Sequence, residues 1–204
     1  MTRAPFEIFG FNEAVLIVRD ERPHLDCWLG QGAWELRHEG AVDPRLLQAW
    51  GRPGATGREW LLAHPDCKTG LVRLMRLNGA APQTDIRQDD QCLDTGGIFD
   101  LNVRVLDLAR QAERMRALHW HGGAPPITWD FGALKVREWL VRGPDNVRLA
   151  LIERVAPPLA GWPQWGCGWV PATWRWRRRR YSSCPCFRSK ARLGNTRGSA
   201  TSRY

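Results

Sequence analysis

One order of extended and helical segments occurs twice in this chain, and that repetition limits its fold more than any single motif does. Phe99 to Leu106 (FDLNVRVL) alternates strictly. Leu101, Val103 and Val105 fall on one face, with Asp100, Asn102 and Arg104 on the other, as a half-buried strand requires. Leu108, Ala112, Met115 and Leu118 then repeat at helical spacing, up to His121-Gly122-Gly123. Ile127 to Phe131, Lys135 to Arg142 and Val147 to Arg154 read as three further strands, the last two joined by the hairpin turn Gly143-Pro144-Asp145-Asn146. The unit is β-α-β-β-β.

Residues 13 to 77 fit the same order. Glu13 to Arg19 (EAVLIVR) is a compact strand closed by Asp20, Glu21 and Pro23. Leu25, Trp28 and Leu29 follow at helical spacing. A strand-like insert around Ala33 to Glu39 and a short second helix come next; Asp43 is its N-cap and Pro44 its first residue. Glu59 to Ala63 and Leu71 to Leu77, separated by HPDCKTG, complete the set. The organisation expected is a first module at 8–78, a linker at 79–97 rich in Gly, Pro and Asp, a second module at 98–156 and a tail at 157–204. The fold class is α+β: two βαβββ modules forming a half-open curved sheet, each module burying its own helix-facing side.

The tail differs in kind. The chain has 204 residues with 30 Lys plus Arg against 21 Asp plus Glu, a formal charge of +9. Residues 161–204 hold 10 of the basic residues and no acid, which leaves 20 basic and 21 acidic before them, a net of −1. The basic character therefore belongs to the tail, and nucleic-acid affinity is not implied for the rest. Five of the 12 Trp fall between 162 and 176, followed by Arg177 to Arg180. Three readings compete: a nucleic-acid-binding arm of arginines and stacking rings, a disordered basic tail of no special role, and a GC-rich coding region read out of frame. Cys184-Pro185-Cys186 is weak as a metal knuckle, since no His follows His121.

No apolar run reaches the roughly 18 residues of a membrane helix. Glu7 and Glu13 interrupt the place where a signal peptide would be apolar, so the expected location is the cytoplasm, with reduced cysteines.

The doubled order, the strand EAVLIVRD, its counterpart DLNVRVLD and the closing GPDNVRLALIER resemble the vicinal oxygen chelate superfamily, which includes glyoxalase I, bleomycin-resistance proteins and extradiol dioxygenases. The resemblance covers about residues 8 to 156 and fits the second module better, the first being stretched between 30 and 58. It implies a metal site with ligands at Glu13, Arg73, Asp100 and Ala150. Arg73 and Ala150 offer no lone pair, so no cofactor is expected from these two modules, and a divalent metal would need ligands from elsewhere. Larger members carry four modules. The chain reads as the front half of such a protein, interrupted by a frameshift, that binds a small molecule or supports a second module pair. An active metal-dependent lyase or dioxygenase is the enzyme alternative.

Alternation turns Glu13, Val15, Ile17, Arg73 and Met75 of module one and Asp100, Asn102, Arg104, Arg148 and Ala150 of module two away from their helices. Glu13, Arg73, Asp100, Asn102, Arg104 and Arg148 are the candidate ligand-binding residues. Either the arginines take a carboxylate or phosphate of a small metabolite, or Glu13 and Asp100 pair with the arginines and fill the cavity. Expected partners are that small molecule and a homodimer mate or second module pair, with nucleic acid only through the tail and no membrane. His119 and His121 read as capping or surface residues, and Trp60, Trp129 and Trp139 as packing. Gly51, Gly54 and Gly57 precede a strand, the wrong context for a phosphate loop.

Overall fold

A computed structural model describes residues 12–65, 67–79, 85 and 98–158. Most of the linker and the whole acid-free tail lie outside the described residues, as do Cys92, Cys167, Cys184 and Cys186.

Module one runs β1 (Glu13–Ile17), a helical turn α1 (Arg22–Leu25) that widens into a π-helical segment (Asp26–Gln31), β2 (Glu35–Ala41), α2 (Pro44–Ala49), β3 (Thr56–Ala63) and β4 (Leu71–Asn78). Module two runs β5 (Leu101–Val105), α3 (Leu108–Ala117), a two-residue β6 (His121–Gly122), β7 (Ile127–Asp130), β8 (Lys135–Arg142) and β9 (Arg148–Ala156). The sheets are ordered β1-β4-β3-β2 and β5-β9-β8-β6, with β7 also on β8. In each, the first strand lies parallel to the last while the other pairs are antiparallel. The repeat seen in sequence is thus a repeat of topology.

Local chemistry accounts for the boundaries. The Asp43 carboxylate accepts from the Arg45 N–H at 2.8 Å and starts α2; the Asp107 carboxylate accepts from the Arg110 N–H at 3.0 Å and starts α3. The β8–β9 connection needs two left-handed residues, Asp145 (φ 55°) and Asn146 (φ 58°), residue types that tolerate that conformation. α3 ends at Ala117, earlier than His121. His121 and Gly122 pair instead with Arg142 and Val141 as β6, because Gly122 lets the backbone lie against the Trp139 ring where a Cβ would overlap it.

The helix-facing sides are not buried separately. One apolar cluster joins Val18, Cys27, Trp28, Trp34, Trp60, Leu62 and Leu74 to Val103, Leu108, Met115, Trp120, Trp139, Leu149 and Leu151. The two modules thus pool their apolar faces in one core. Polar contacts add to the join: Asp145, at the module-two turn, accepts from the Arg19 guanidinium at 3.1 Å, and its Oδ2 lies 3.0 Å from Nε2 of the buried His24. Trp60 and Trp139 are core, as expected.

Candidate functional site

The faces turned away from this core differ between the modules. In module one, Arg73 on β4 donates from Nε and Nη2 to the two oxygens of Glu13 on β1, at 3.0 and 2.9 Å, and from Nη1 to Glu59 on β3 at 2.7 Å. The side-by-side order of β1, β4 and β3 makes the cluster possible. Glu13 is the main reason that the Arg73 guanidinium is held above its ordinary pKa. Further along the same face, Val15, Met75 and Leu77 pack with Val42, Leu46, Leu47 and Ala55 in a second apolar cluster. The inserted α2 therefore covers the end of the face where Val15 and Met75 stand. For Glu13 and Arg73, the pairing reading is what the structure shows.

Module two keeps its face open. A cavity of about 370 Å³ lies on it, lined among others by His121, Ile127, Trp129, Glu138, Leu140, Arg142 and Arg148. Register explains which side chains meet there. His121 stands opposite Arg142, and Arg142 opposite Arg148, so three basic side chains form one row across β6, β8 and β9. Asp100, just before β5, faces Arg148 and ends the row. Its carboxyl is pushed above the usual range by burial and then by Glu138, against the pull of Arg148. The next row is Leu140, Ala150 and Asn102, and the one after is Ile127, Glu138, Ile152 and Arg104. Trp129, opposite Val136, stands at the far end, where its indole N–H donates to Glu138 Oε2 at 2.8 Å.

Like charges directly opposite on neighbouring strands are unfavourable, on the order of a few tenths of a kcal/mol to 1 kcal/mol. The row Arg142–Arg148 is of that kind, and Arg148 is only 3% exposed, its guanidinium 5.2 Å from the Phe99 ring. An anion placed beside two guanidiniums gains charge-assisted hydrogen bonds. Arginines are a fitting choice for it, since the planar fork matches a carboxylate.

Of the six residues expected from sequence, Arg148 lines this cavity. Asp100 and Asn102 line a smaller one of about 90 Å³ with Ala14, Trp28, Trp34 and Val72 at the junction of the modules. Arg104 is buried on the same sheet face at 8% exposure. Trp129 is not packing: it is 44% exposed and forms part of the cavity wall. His121, expected to be a capping or surface residue, lines the cavity instead, and it meets Glu138, Leu140 and Arg142, which the sequence did not single out, because of the pairing of β6 and β8. The alternation within Lys135 to Arg142 was the signal available for the last three.

The metal-ligand positions implied by the family resemblance do not fit a metal. At one of them Arg73 is a cation already chelating the Glu13 carboxylate, and the side chain of Ala150 has no donor atom. Among the described residues no three His, Cys, Asp or Glu side chains converge. The Cys27 thiol is buried and its pKa raised by that burial, which makes it inert.

Fold and site together define a class: a paired βαβββ protein whose second module carries an open, basic concave face. The solved structures agree on the fold. A glyoxalase family protein from Bacillus cereus superposes with a TM-score of 0.64 at 14% identity, over 76% of this chain and 100% of that one. A glyoxalase I mutant from Zea mays superposes with a TM-score of 0.50 at 16% identity, over 71% of this chain and 45% of that one. No protein-family profile and no curated protein sequence matches. The fold is that of the vicinal oxygen chelate superfamily.

Proposed function

We propose that this protein binds a small anionic molecule in the cleft of module two, through Arg142 and Arg148, without a metal ion of its own. The observation that carries this reading is the cross-strand row His121–Arg142–Arg148 at the wall of a 370 Å³ cavity. A cavity of that size, mostly apolar with a few convergent polar groups, has the make-up of a small-molecule site. The absence of a resident metal rests on Arg73 and Ala150, which put a cation and a methyl group where donor oxygens or nitrogens would be needed.

Calorimetric titration of the full chain with octanoate tests this, since octanoate pairs one carboxylate with an apolar body. Arg148→Met and Arg142→Met keep an apolar stem and remove the charge. Each is expected to weaken binding at least tenfold, about 1.4 kcal/mol. Equal affinity in the wild type and in both variants would overturn the reading. A second arm adds a chelator: octanoate affinity should not change, and its loss would show that a metal takes part.

A further inference from the structure

We infer that module one holds the binding row of module two in place: His24 and Arg19 grip the β8–β9 turn through Asp145, and Asp145 is thereby a positioning residue for Arg148. This rests on the anion-binding reading above and adds how the site is kept ready for its ligand.

The turn decides the geometry of the row. Arg142 and Arg148 face each other on the rung of the β8–β9 ladder nearest the turn, and residues 143–147 join them. Within the turn, the Gly143 N–H donates to the Val147 carbonyl at 2.9 Å and the Val147 N–H to the Pro144 carbonyl at 3.1 Å. No rung lies beyond Arg142 and Arg148, so their spacing follows the turn.

Two contacts pin the turn from outside. Asp145, in its middle, has a left-handed backbone (φ 55°) that Asn or Gly would adopt equally well. An acid there does more. Its two oxygens accept from the Arg19 backbone N–H at 3.3 and 3.2 Å; the first accepts also from Arg19 Nη1 at 3.1 Å, and the second lies 3.0 Å from His24 Nε2. The side chain is only 5% exposed, although it stands at the end of a hairpin. Arg19 is itself tied to Asp85, to which Nη2 donates at 2.7 Å. The second contact is Trp120. Gly143 lies so close to its indole that a Cβ would overlap the ring, and His24 meets the same ring edge-on, with centroids 6.2 Å apart. His24 therefore touches both the turn between Arg142 and Arg148 and the residue before His121.

Arg148 is the member of the row that depends on this grip. Arg142 is exposed and follows a shifted backbone by changing rotamer, whereas Arg148 is buried against the Phe99 ring and moves with β9. A binding group held in place beforehand costs less to engage than one that must be ordered by the ligand. On the module-one side the grip belongs to Arg19, just after β1, and to α1, so α2 is no part of it.

The test is calorimetric titration of the full chain with octanoate, below the melting range of every variant. Asp145→Gly keeps the turn conformation accessible and removes the grip; it is expected to weaken binding at least about fivefold. His24→Phe keeps a ring against Trp120 and loses the contact to Asp145. It is expected to weaken binding at least about threefold, although His24 does not line the cleft. A double-mutant cycle separates positioning from general loosening: in an Arg148→Met background, Asp145→Gly should weaken binding by less than about twofold, because the group it positions is gone. Unchanged affinity in Asp145→Gly or in His24→Phe overturns the inference, as do losses that multiply in the double variant. If Arg148→Met still weakens octanoate binding in that case, the anion-binding reading stands; equal affinity in the wild type, Arg148→Met and Arg142→Met removes that reading and this inference with it.

Discussion

Single residues show how far side-chain chemistry follows from local pattern. Asp100 was placed on the concave face by alternation alone, and it is there. Its altered ionisation, however, comes from burial and from Glu138 on β8, which no local pattern reveals. Because its folded pKa is raised, the protonated carboxyl is the form the fold favours. The stability it contributes is complete below the ordinary Asp value of about 3.9 and is lost as the pH rises through the raised folded value. Asp100→Asn should therefore be more stable than the wild type at pH 7, with the difference gone near pH 3; thermal melts of both proteins across that range check it. A variant that is less stable at pH 7 would mean that the Asp100–Arg148 attraction outweighs burial. Gly143 gives a steric case. Its φ of −116° suits any residue, but an added Cβ would run into the fully buried Trp120 ring. Gly143→Ala is expected to cost about 1–3 kcal/mol, seen as a lower denaturant midpoint at unchanged slope.

At the scale of elements, nearly every strand and helix was visible beforehand, because periods of 2.0 and 3.6 survive in a single sequence. β1, β5, α3, β8 and β9 come within a few residues of their expected limits. Even the inserted α2 was legible, through Asp43 and Pro44. Its placement was not: a six-residue helix has no preferred partner until β1 and β4 lie side by side and present Val15 and Met75. α2 is what distinguishes the two concave faces, since it covers part of the first and nothing comparable sits on the described part of the second. Leu47, 1% exposed, anchors it. Leu47→Ala should destabilise the protein by about 2–5 kcal/mol and, on folded protein at low temperature, speed hydrogen exchange of β1 and β4 amides. Octanoate affinity, read at the same temperature, should stay as in the wild type, because the binding cleft is on the other module.

For the whole molecule, the sharing of one apolar cluster makes the two modules energetically one object. Unfolding of the described region should be a single cooperative transition by calorimetry, and Trp28→Ala, which removes a 1%-exposed indole from the shared cluster, should lower both modules together by about 3–5 kcal/mol. Two resolved transitions, with only the first moved by Trp28→Ala, would contradict this. The expectation of two separately buried halves failed for a physical reason: periodicity tells which face of an element is apolar and says nothing about which other apolar face will cover it. The same limit applies to the site. The sequence by itself determined the class of fold, the doubled βαβββ order and the side of the sheet on which Asp100, Arg104 and Arg148 stand. These depend on residue type and on spacing along one strand. Tertiary structure alone decided that Glu13 and Arg73 satisfy each other, that α2 covers part of one face, and that His121, Arg142 and Arg148 line up beside Trp129 on the other. Those are relations between strands far apart in sequence, and strand register fixes them only when the sheet has formed.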